Sequence, residues 1–188
     1  MELKYIMTAA LLVFVTLWLL SANDNKTKVQ YNKHQVLISL LHDTSSVLRE
    51  DNIPHWLNYR TLRGWRQAGD FLEEDYNVDL GVLAEDKEKI LHTLVNKLPR
   101  QKYTIVDERS FGIQVVHTAT GLSLELTQYT ADLEPKNPSD WLKIMYHQET
   151  TKLKPNWIFP VRGELMQGFK VPIPAQPDIL LNNWYGTH

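Results

Sequence analysis

The sequence contains no cysteine, and this absence removes several classes of structure and chemistry at once. Disulfide scaffolds, thiolate zinc sites and cysteine nucleophiles are all excluded. The chain also lacks the common catalytic signatures GxSxG, GxGxxG and HExxH, and the phosphate-binding loop that ends in Gly-Lys-Ser/Thr. A hydrophobic core must therefore hold the fold together, and six Trp, eight Tyr and five Phe residues supply apolar area for it.

The sequence has no excess of charge of one sign either. Its 20 Lys and Arg residues and 22 Asp and Glu residues are interspersed, and the formal net charge is -2. Such a surface argues against binding to nucleic-acid phosphates and against a polybasic membrane patch. We therefore expect no nucleic-acid partner. The seven His residues are scattered without the spacing of metal ligands.

One long hydrophobic run is present, at the N-terminus. No charged residue occurs from Tyr5 to Ala22, and about 18 helical residues span about 27 Å, which suits a thin bilayer. We predict that residues 1–22 form a signal-anchor or transmembrane segment and that residues 23–188 form one domain that faces the lumen or the outside. Two alternatives stay open, a signal peptide cleaved after Leu20-Ser21-Ala22 and a buried core helix. The lysines that follow the segment weakly oppose a lumenal domain.

Hydrophobic periodicity predicts a mixed domain with helices and strands. Helical spacing of apolar residues predicts helices over Val29–Arg49, Thr61–Gln67 and Glu85–Leu98, the second of them capped by the hydroxyl of its first residue. Alternation and short apolar runs predict strands over Ile53–Leu57, Asn77–Leu83, Tyr103–Val106, Phe111–His117 and Leu122–Tyr129. The chain after Lys154 contains five prolines, so we expect it to wrap the domain as irregular chain.

An acidic sequence, Glu74-Asp75-Tyr76-Asn77-Val78-Asp79-Leu80, is the main candidate for chemistry. If it is extended, Asp75, Asn77 and Asp79 point to the same face and offer oxygen ligands side by side. Glu125, in another strand-like run, could add a carboxylate from a neighbouring strand. Mg2+ and Mn2+ prefer oxygen ligands, and such ions can clamp the attacking and leaving oxygens in phosphoryl transfer. The alternative interpretation is a solvated acidic turn, because Asp and Asn are common turn residues.

Several short motifs follow one another in a characteristic order. They are Ile53-Pro54-His55-Trp56-Leu57, Thr61-Leu62-Arg63-Gly64-Trp65-Arg66, Gly69-Asp70-Phe71, Asp75-x-Asn77-x-Asp79, Ile158-Phe159-Pro160, Gly168-Phe169-Lys170-Val171-Pro172 and Trp184-Tyr185-Gly186. Their order and gaps resemble the LicD and fukutin family, whose pattern includes Gly-Thr-Leu-Leu-Gly-x-x-Arg, Gly-Phe-Ile-Pro-Trp and Asp-x-Asp-x-Asp. The resemblance covers about Leu40 to Gly186, which is nearly the whole domain.

The resemblance implies an α/β (α+β) fold of the nucleotidyltransferase type, in which a mixed sheet flanked by helices carries a divalent-metal site. It implies a phosphotransferase that uses Mg2+ or Mn2+ to move a phosphorylated group, such as phosphocholine or ribitol phosphate, from a CDP-linked donor to a sugar hydroxyl of a glycan. Eukaryotic members tend to be Golgi or endoplasmic-reticulum proteins with an N-terminal anchor. That location agrees with the membrane segment predicted from the apolar run.

Site roles follow from the matching positions. The resemblance implies that Asp75, Asn77 and Asp79 bind the metal ion, and that Asp75, Asp79 and Glu125 form the catalytic set.

Substrate-binding roles follow in the same way for the preceding motif. Thr61 and the start of its helix would face the phosphates of the donor, with Gly64 and Arg66 in the same segment. Two alternatives stay open here: Arg66 could be a surface ion-pair partner, and Gly64 could merely allow close packing.

The sequence departs from the family pattern at positions that matter for activity. Arg60 stands where the family has the glycine before Thr61, Glu73-Glu74 replace Pro-Trp, and Asn77 replaces the middle aspartate. Asn77 can offer a carbonyl oxygen but no negative charge, so the metal affinity should fall. The alternative function is therefore a catalytically degenerate family member that binds glycan or protein partners in the secretory pathway.

Overall fold

The computed structural model describes residues 32–108, 112–131, 142–144 and 153–186. The predicted membrane segment, residues 1–22, lies outside these ranges. Within them, no helix is both long enough and apolar enough to cross a bilayer.

Helices and strands alternate along the described chain. In chain order they are α1 (Lys33–Glu50), β1 (His55–Leu57), α2 (Tyr59–Ala68), β2 (Asn77–Leu83), α3 (Lys87–Lys97), β3 (Tyr103–Glu108), β4 (Gly112–His117), β5 (Ser123–Ala131), β6 (Leu142–Ile144), α4 (Pro155–Ile158), β7 (Arg162–Met166), β8 (Phe169–Ile173) and α5 (Pro177–Tyr185). A single 3-10 turn, Ala84–Asp86, leads into α3. The strands predicted from alternation and the two longer predicted helices therefore form, with bounds that shift by a few residues.

The main sheet is mixed, in the strand order β1-β2-β5-β4-β3, with β6 also paired to β5. Strands β2 and β5 run parallel, and the other pairs in this sheet are antiparallel. One face carries apolar side chains that are fully buried, among them Val78, Leu80, Leu124 and Leu126. Helix α1 covers this face, since it contacts β2, β4 and β5. The predicted mixed sheet flanked by helices is thus confirmed.

Helix α2 begins earlier than predicted, at Tyr59, and its capping residue is Asn58, whose side chain makes no capping hydrogen bond. The predicted hydroxyl cap at Thr61 is wrong. Thr61 lies inside the helix and is fully buried, and its Oγ1 accepts a hydrogen bond of 2.8 Å from the Asp79 backbone N–H. The hydroxyl is used to join the helix to β2, and this tertiary contact is invisible in the local sequence.

The prediction of an irregular C-terminal tail is also wrong. Strands β7 and β8 form a separate two-stranded sheet, and Gln167 and Gly168 between them both have positive φ, of 49° and 83°. Two such residues in succession are typical of a tight hairpin turn. Proline does not prevent the nearby helices, because Pro155 and Pro177 lie in the first turns of α4 and α5, where no backbone donor is needed.

Candidate active site

A row of polar side chains crosses the sheet on the face opposite to α1. Asp79 of β2 pairs with Glu125 of β5 in the parallel register, and Glu125 pairs with Gln114 of β4. Paired residues on neighbouring strands point to the same face. Asn77, two residues before Asp79, shares that face, and its Nδ2 donates a hydrogen bond of 2.9 Å to Asp79 Oδ1. Below, the acid row means Asp79 and Glu125.

Gln114 was not among the residues predicted from the sequence. It is a polar residue between the fully buried Ile113 and Val115, on a strand whose pattern is otherwise apolar at its centre. Such an isolated polar residue in a strand is a usable signal, but only once the neighbouring strand and its register are known.

The electrostatics of Asp79 are unusual for a carboxylate. Its side chain is buried, with 7% of the residue exposed. The pKa of Asp79 rises from 3.8 to about 7, first because burial penalises the charged form, and then because Glu125 and Asp75 are also negative. The hydrogen bond from Asn77 and the charge of Arg60 act in the opposite direction. A group that is this costly to ionise in the free protein would be stabilised by a bound cation.

Asp75 is in a different environment from the acid row. It precedes β2, which begins at Asn77, and it is 1% exposed. Its Oδ1 accepts a hydrogen bond of 3.0 Å from Arg60 Nε, and its Oδ2 accepts one of 2.8 Å from the Leu72 backbone N–H. Both carboxylate oxygens are therefore engaged by the protein itself. The metal-ligand role predicted for Asp75 stays a prediction, and it would require one of these contacts to change.

Arg60 holds Asp75 from the start of α2. Besides the hydrogen bond to Asp75, its guanidinium lies 3.4 Å from Glu74 Oε1, and it is 44% exposed. The pKa of Arg60 is raised, mainly by the hydrogen bond to Asp75. The arginine that replaces the family's glycine thus supplies a fixed positive charge beside the acid row.

The other predicted site residues of α2 are Thr61, Gly64 and Arg66. The first two position neighbouring backbone, and the third makes a contact at the surface. Thr61 fixes β2 through the Asp79 N–H. A Cβ on Gly64 would lie 2.5 Å from the Asp70 carbonyl oxygen, so the close-packing interpretation of Gly64 accounts for it. Arg66 makes two hydrogen bonds to the exposed Asp178 carboxylate, of 2.7 and 3.3 Å. The described contacts of Arg66 do not connect it to the acid row.

Helix α5 contributes an aromatic residue, Tyr185, to the surroundings of Asp79. Burial, and next the negative charge of Asp79, raise the pKa of Tyr185 to about 12, which places this phenol near the acid row. The guanidinium of Arg63 lies 5.4 Å from the centre of the same ring. The ring of Tyr59 packs on Trp184 with centroids 4.8 Å apart. Tyr185 was part of a motif in the sequence, but no site role was predicted for it.

The acid row and Asn77 provide oxygen donors of the kind that Mg2+ and Mn2+ prefer. Across the described ranges, no group of three or more His, Asp or Glu side chains is arranged to hold a metal ion. The donor set fits a cation held by the two carboxylates of the acid row, with its other ligands supplied by water or substrate phosphate, which is common for Mg2+. The buried Asp79 carboxylate, with its raised pKa, is the observation that supports this fit.

The chain thus combines a mixed sheet, flanking helices and an acidic row on the sheet face opposite to α1. A sequence profile described as LicD/FKTN/FKRP, nucleotidyltransferase domain, matches residues 52–176. The chain therefore belongs to the LicD family of transferases. The family resemblance carried by the sequence motifs is confirmed. Comparison with curated protein sequences gave no significant match.

Solved structures with a similar course of the chain include several nucleotidyltransferases. ANT(2")-Ia in complex with adenylyl-2"-tobramycin has 14% identity and a TM-score of 0.49, over 74% of this chain and 68% of that one. The lincosamide antibiotic adenylyltransferase LnuA has 14% identity and a TM-score of 0.43, over 79% and 97%. A nucleotidyltransferase-type protein of Thermotoga maritima has 10% identity and a TM-score of 0.44, over 79% and 83%. The family assignment itself rests on the sequence match.

Proposed function

We propose that this LicD-family chain is a glycan-modifying phosphotransferase that depends on a divalent metal ion. It moves a phosphorylated group from a CDP-linked donor to a sugar hydroxyl, with CMP as the leaving group. The observation that carries the proposal is the pairing of Asp79 with Glu125 on adjacent parallel strands, in surroundings that raise the pKa of Asp79 to about 7.

The acid row has a specific role in this reaction. Asp79 and Glu125 would hold Mg2+ or Mn2+, and the bound ion would supply positive charge to the phosphoryl oxygens of the transition state. Asn77 orients Asp79 through its hydrogen bond of 2.9 Å. Thr61 fixes the backbone of Asp79 from the buried side of α2, so the carboxylate is positioned before substrate arrives, which is the property that transition-state stabilisation requires.

Arg60 and Tyr185 complete the surroundings of the reacting groups. Arg60 pairs with Asp75 through its hydrogen bond of 3.0 Å, and its positive charge partly offsets the effect that the carboxylate of Asp75 has on Asp79. The partly exposed side of the same guanidinium is available to a donor phosphate. Tyr185, near Asp79, presents a phenol that remains protonated at neutral pH and can donate a hydrogen bond to a phosphate oxygen.

Thermal unfolding of the full-length protein in neutral detergent tests the metal and donor parts of the proposal. We expect Mn2+ or Mg2+ to raise the melting temperature, CDP to raise it further, and Asp79→Asn and Glu125→Gln to abolish both shifts. The control variant is Glu85→Gln, at an exposed position outside the site. If neither ion changes the melting temperature of the parent protein, even with CDP present, the phosphotransferase proposal is wrong.

The alternative function, a degenerate family member that binds glycan or protein partners, is favoured by one contact. The ion pair between Arg60 and Asp75 occupies an acid that could otherwise bind metal. A binding module would retain glycan affinity in a chelator and would show no transfer of phosphate from CDP-choline or CDP-ribitol in a mass-spectrometric assay. A transferase would lose substrate turnover in the chelator.

We further propose that the chain is a single-pass membrane protein of the Golgi or endoplasmic reticulum with a lumenal domain, or is secreted if the N-terminal segment is cleaved. The apolar, uncharged run from Tyr5 to Ala22 supports this proposal. Protease treatment of sealed microsomes tests it: the domain should resist digestion until detergent is added. Digestion without detergent would place the domain on the cytosolic side.

A further inference from the structure

A cavity separate from the acid row lies between the end of α1, the start of β1 and the hairpin of β7 and β8. Its volume is about 590 Å3, which is within the range of small-molecule sites. The base is apolar and includes Ile53 and Val171, which are 2% and 1% exposed. Phe159 and Val161 form further apolar wall. None of the described residues that line this cavity belongs to the acid row.

Three basic residues stand at the mouth of the cavity, and among the residues that the structure describes no acidic residue lines it. They are Arg49, Arg162 and Lys170, all exposed, and below they are called the basic rim. Arg162 donates to the Ala175 carbonyl at 3.1 Å, and Arg49 approaches the Lys170 carbonyl at 3.5 Å. In the described ranges none of the three forms an ion pair with a carboxylate. The positive charge of the rim is therefore uncompensated by those residues.

The interior adds no positive charge to that of the rim. His55, which also lines the cavity, is buried, and its Nδ1 donates a hydrogen bond of 2.8 Å to the Ile53 carbonyl. Burial lowers the pKa of His55 to about 4, so the ring is neutral at physiological pH, and its Nε2 is an acceptor. The cavity therefore combines an apolar, uncharged interior with a cationic mouth.

From this combination we infer that the cavity binds an anionic membrane lipid, with its headgroup on the basic rim and the first part of its hydrocarbon chain in the apolar interior. Basic side chains at a mouth recognise a phosphate group. A free sugar phosphate or nucleotide would leave the apolar walls in contact with water, whereas a hydrocarbon chain would bury them. The lipid site is independent of the transfer reaction and needs no residue of the acid row.

Native mass spectrometry of the full-length protein, released from neutral detergent, tests the inference with three probes. Lysophosphatidic acid has one chain and an anionic head, lysophosphatidylcholine has the same chain and a zwitterionic head, and glycerol 3-phosphate has the head alone. We expect saturable binding of one lysophosphatidic acid per chain, at least about tenfold weaker binding of lysophosphatidylcholine, and no saturable binding of glycerol 3-phosphate.

Charge variants distinguish the cavity from lipid that associates with the N-terminal apolar segment. The double variant Arg162→Gln and Lys170→Gln should weaken lysophosphatidic acid binding by about tenfold or more, because charged hydrogen bonds at the rim are lost. Lys89→Gln, an exposed position on α3, makes the same kind of charge change elsewhere and should have no effect.

Four results would each overturn the inference. The first two are equal affinity for lysophosphatidic acid and lysophosphatidylcholine, and tight binding of glycerol 3-phosphate. The third is an unchanged affinity of the rim variant for lysophosphatidic acid. The fourth is that the cavity binds an acidic apolar peptide and does not bind lysophosphatidic acid. Circular dichroism of the rim variant should match the parent, because the substituted side chains are exposed. Weakened binding by a variant with an altered spectrum would be checked with each single substitution.

Discussion

Replacing Asp79 by asparagine should make the metal-free protein more stable at pH 8, although it removes a residue assigned to the active site. The pKa of Asp79 rises from 3.8 to about 7 on folding. Each pKa unit corresponds to about 1.4 kcal/mol, so ionising this carboxylate costs the folded state up to about 4 kcal/mol. Asparagine has nearly the same shape and can still accept the hydrogen bond from Asn77, so the packing should hardly change.

The sign of the pH dependence follows from the direction of the shift. Because the folded protein holds the Asp79 proton more tightly than the unfolded chain does, the stability of the parent falls as the pH rises from about 4 through about 7. The stability of Asp79→Asn does not fall in this way, because asparagine has no carboxyl group to ionise. His55, whose pKa is lowered to about 4, titrates with the opposite sign in the same window. Its contribution is common to both proteins and cancels in their difference.

The assay is urea unfolding of parent and Asp79→Asn in chelator at pH 5, 6, 7 and 8, with Glu85→Gln as the control. We expect the variant to be more stable by about 1 to 2 kcal/mol at pH 5 and by about 3 to 4 kcal/mol at pH 8. Adding Mn2+ should stabilise the parent but not the variant, and so reduce the difference between their free energies of unfolding. A difference that does not grow with pH, or a variant that is less stable than the parent at pH 8, would refute the reasoning.

Three further substitutions test contacts around the site by urea unfolding. Gly81→Ala should cost about 1 to 3 kcal/mol, because the new Cβ would lie 2.3 Å from atoms of the fully buried Trp56 ring. Arg60→Gln should cost about 2 to 4 kcal/mol, because the Asp75 carboxylate, 1% exposed, would lose its cation. Arg66→Gln should hardly change the free energy of unfolding, since its ion pair with Asp178 is exposed, and should leave the CDP-dependent thermal shift unchanged.

Each of these has an outcome that would count against the structural argument. If Gly81→Ala leaves the free energy of unfolding unchanged, the Trp56 ring can move. If Arg60→Gln leaves it unchanged, other contacts or water stabilise the Asp75 carboxylate without the arginine. A CDP shift that disappears in Arg66→Gln would restore the donor-binding role predicted from the sequence. Lys89→Gln, at an exposed position on α3, controls for loss of positive charge.

Local sequence patterns were sufficient for most of the sheet and for the polar residues that it carries. The strand Asn77–Leu83 was predicted with the bounds that the structure has, since alternation of apolar residues is a local property. Asp79 and Glu125 could be named as candidates because acids inside strand-like runs are unusual. Their registration across β2 and β5 could not be derived, because parallel pairing joins distant segments and leaves no signal in either one.

The errors have identifiable physical causes. The sequence predicts a helix cap at Thr61 because a hydroxyl before an apolar run is a helix-start signal, but in the structure this hydroxyl accepts a hydrogen bond from the Asp79 N–H. The five prolines after Lys154 outweighed the Gln167-Gly168 pair, which is the turn of the β7 and β8 hairpin. The Gln167-Gly168 pair lies between two short runs of alternating residues, and it was the local signal that could have indicated the hairpin. The phosphate-binding role of Arg66 stays a prediction beside its ion-pair alternative, and its ion-pair partner Asp178 lies too far along the chain to be identified from the sequence.

The parallel pairing of β2 and β5 also has a consequence for how the protein acquires its site. A parallel pair cannot be closed by a hairpin, so the chain that contains α3, β3 and β4 must cross back along the sheet for residue 79 to meet residue 125. Contacts between distant segments form late, because the entropy of closing the intervening chain is lost before the contact is gained. Partly folded forms, including nascent chains that end before β5, would carry an Asp79 with an ordinary acidity. Maturation of the protein could then be followed by the pH at which a single carboxyl group titrates.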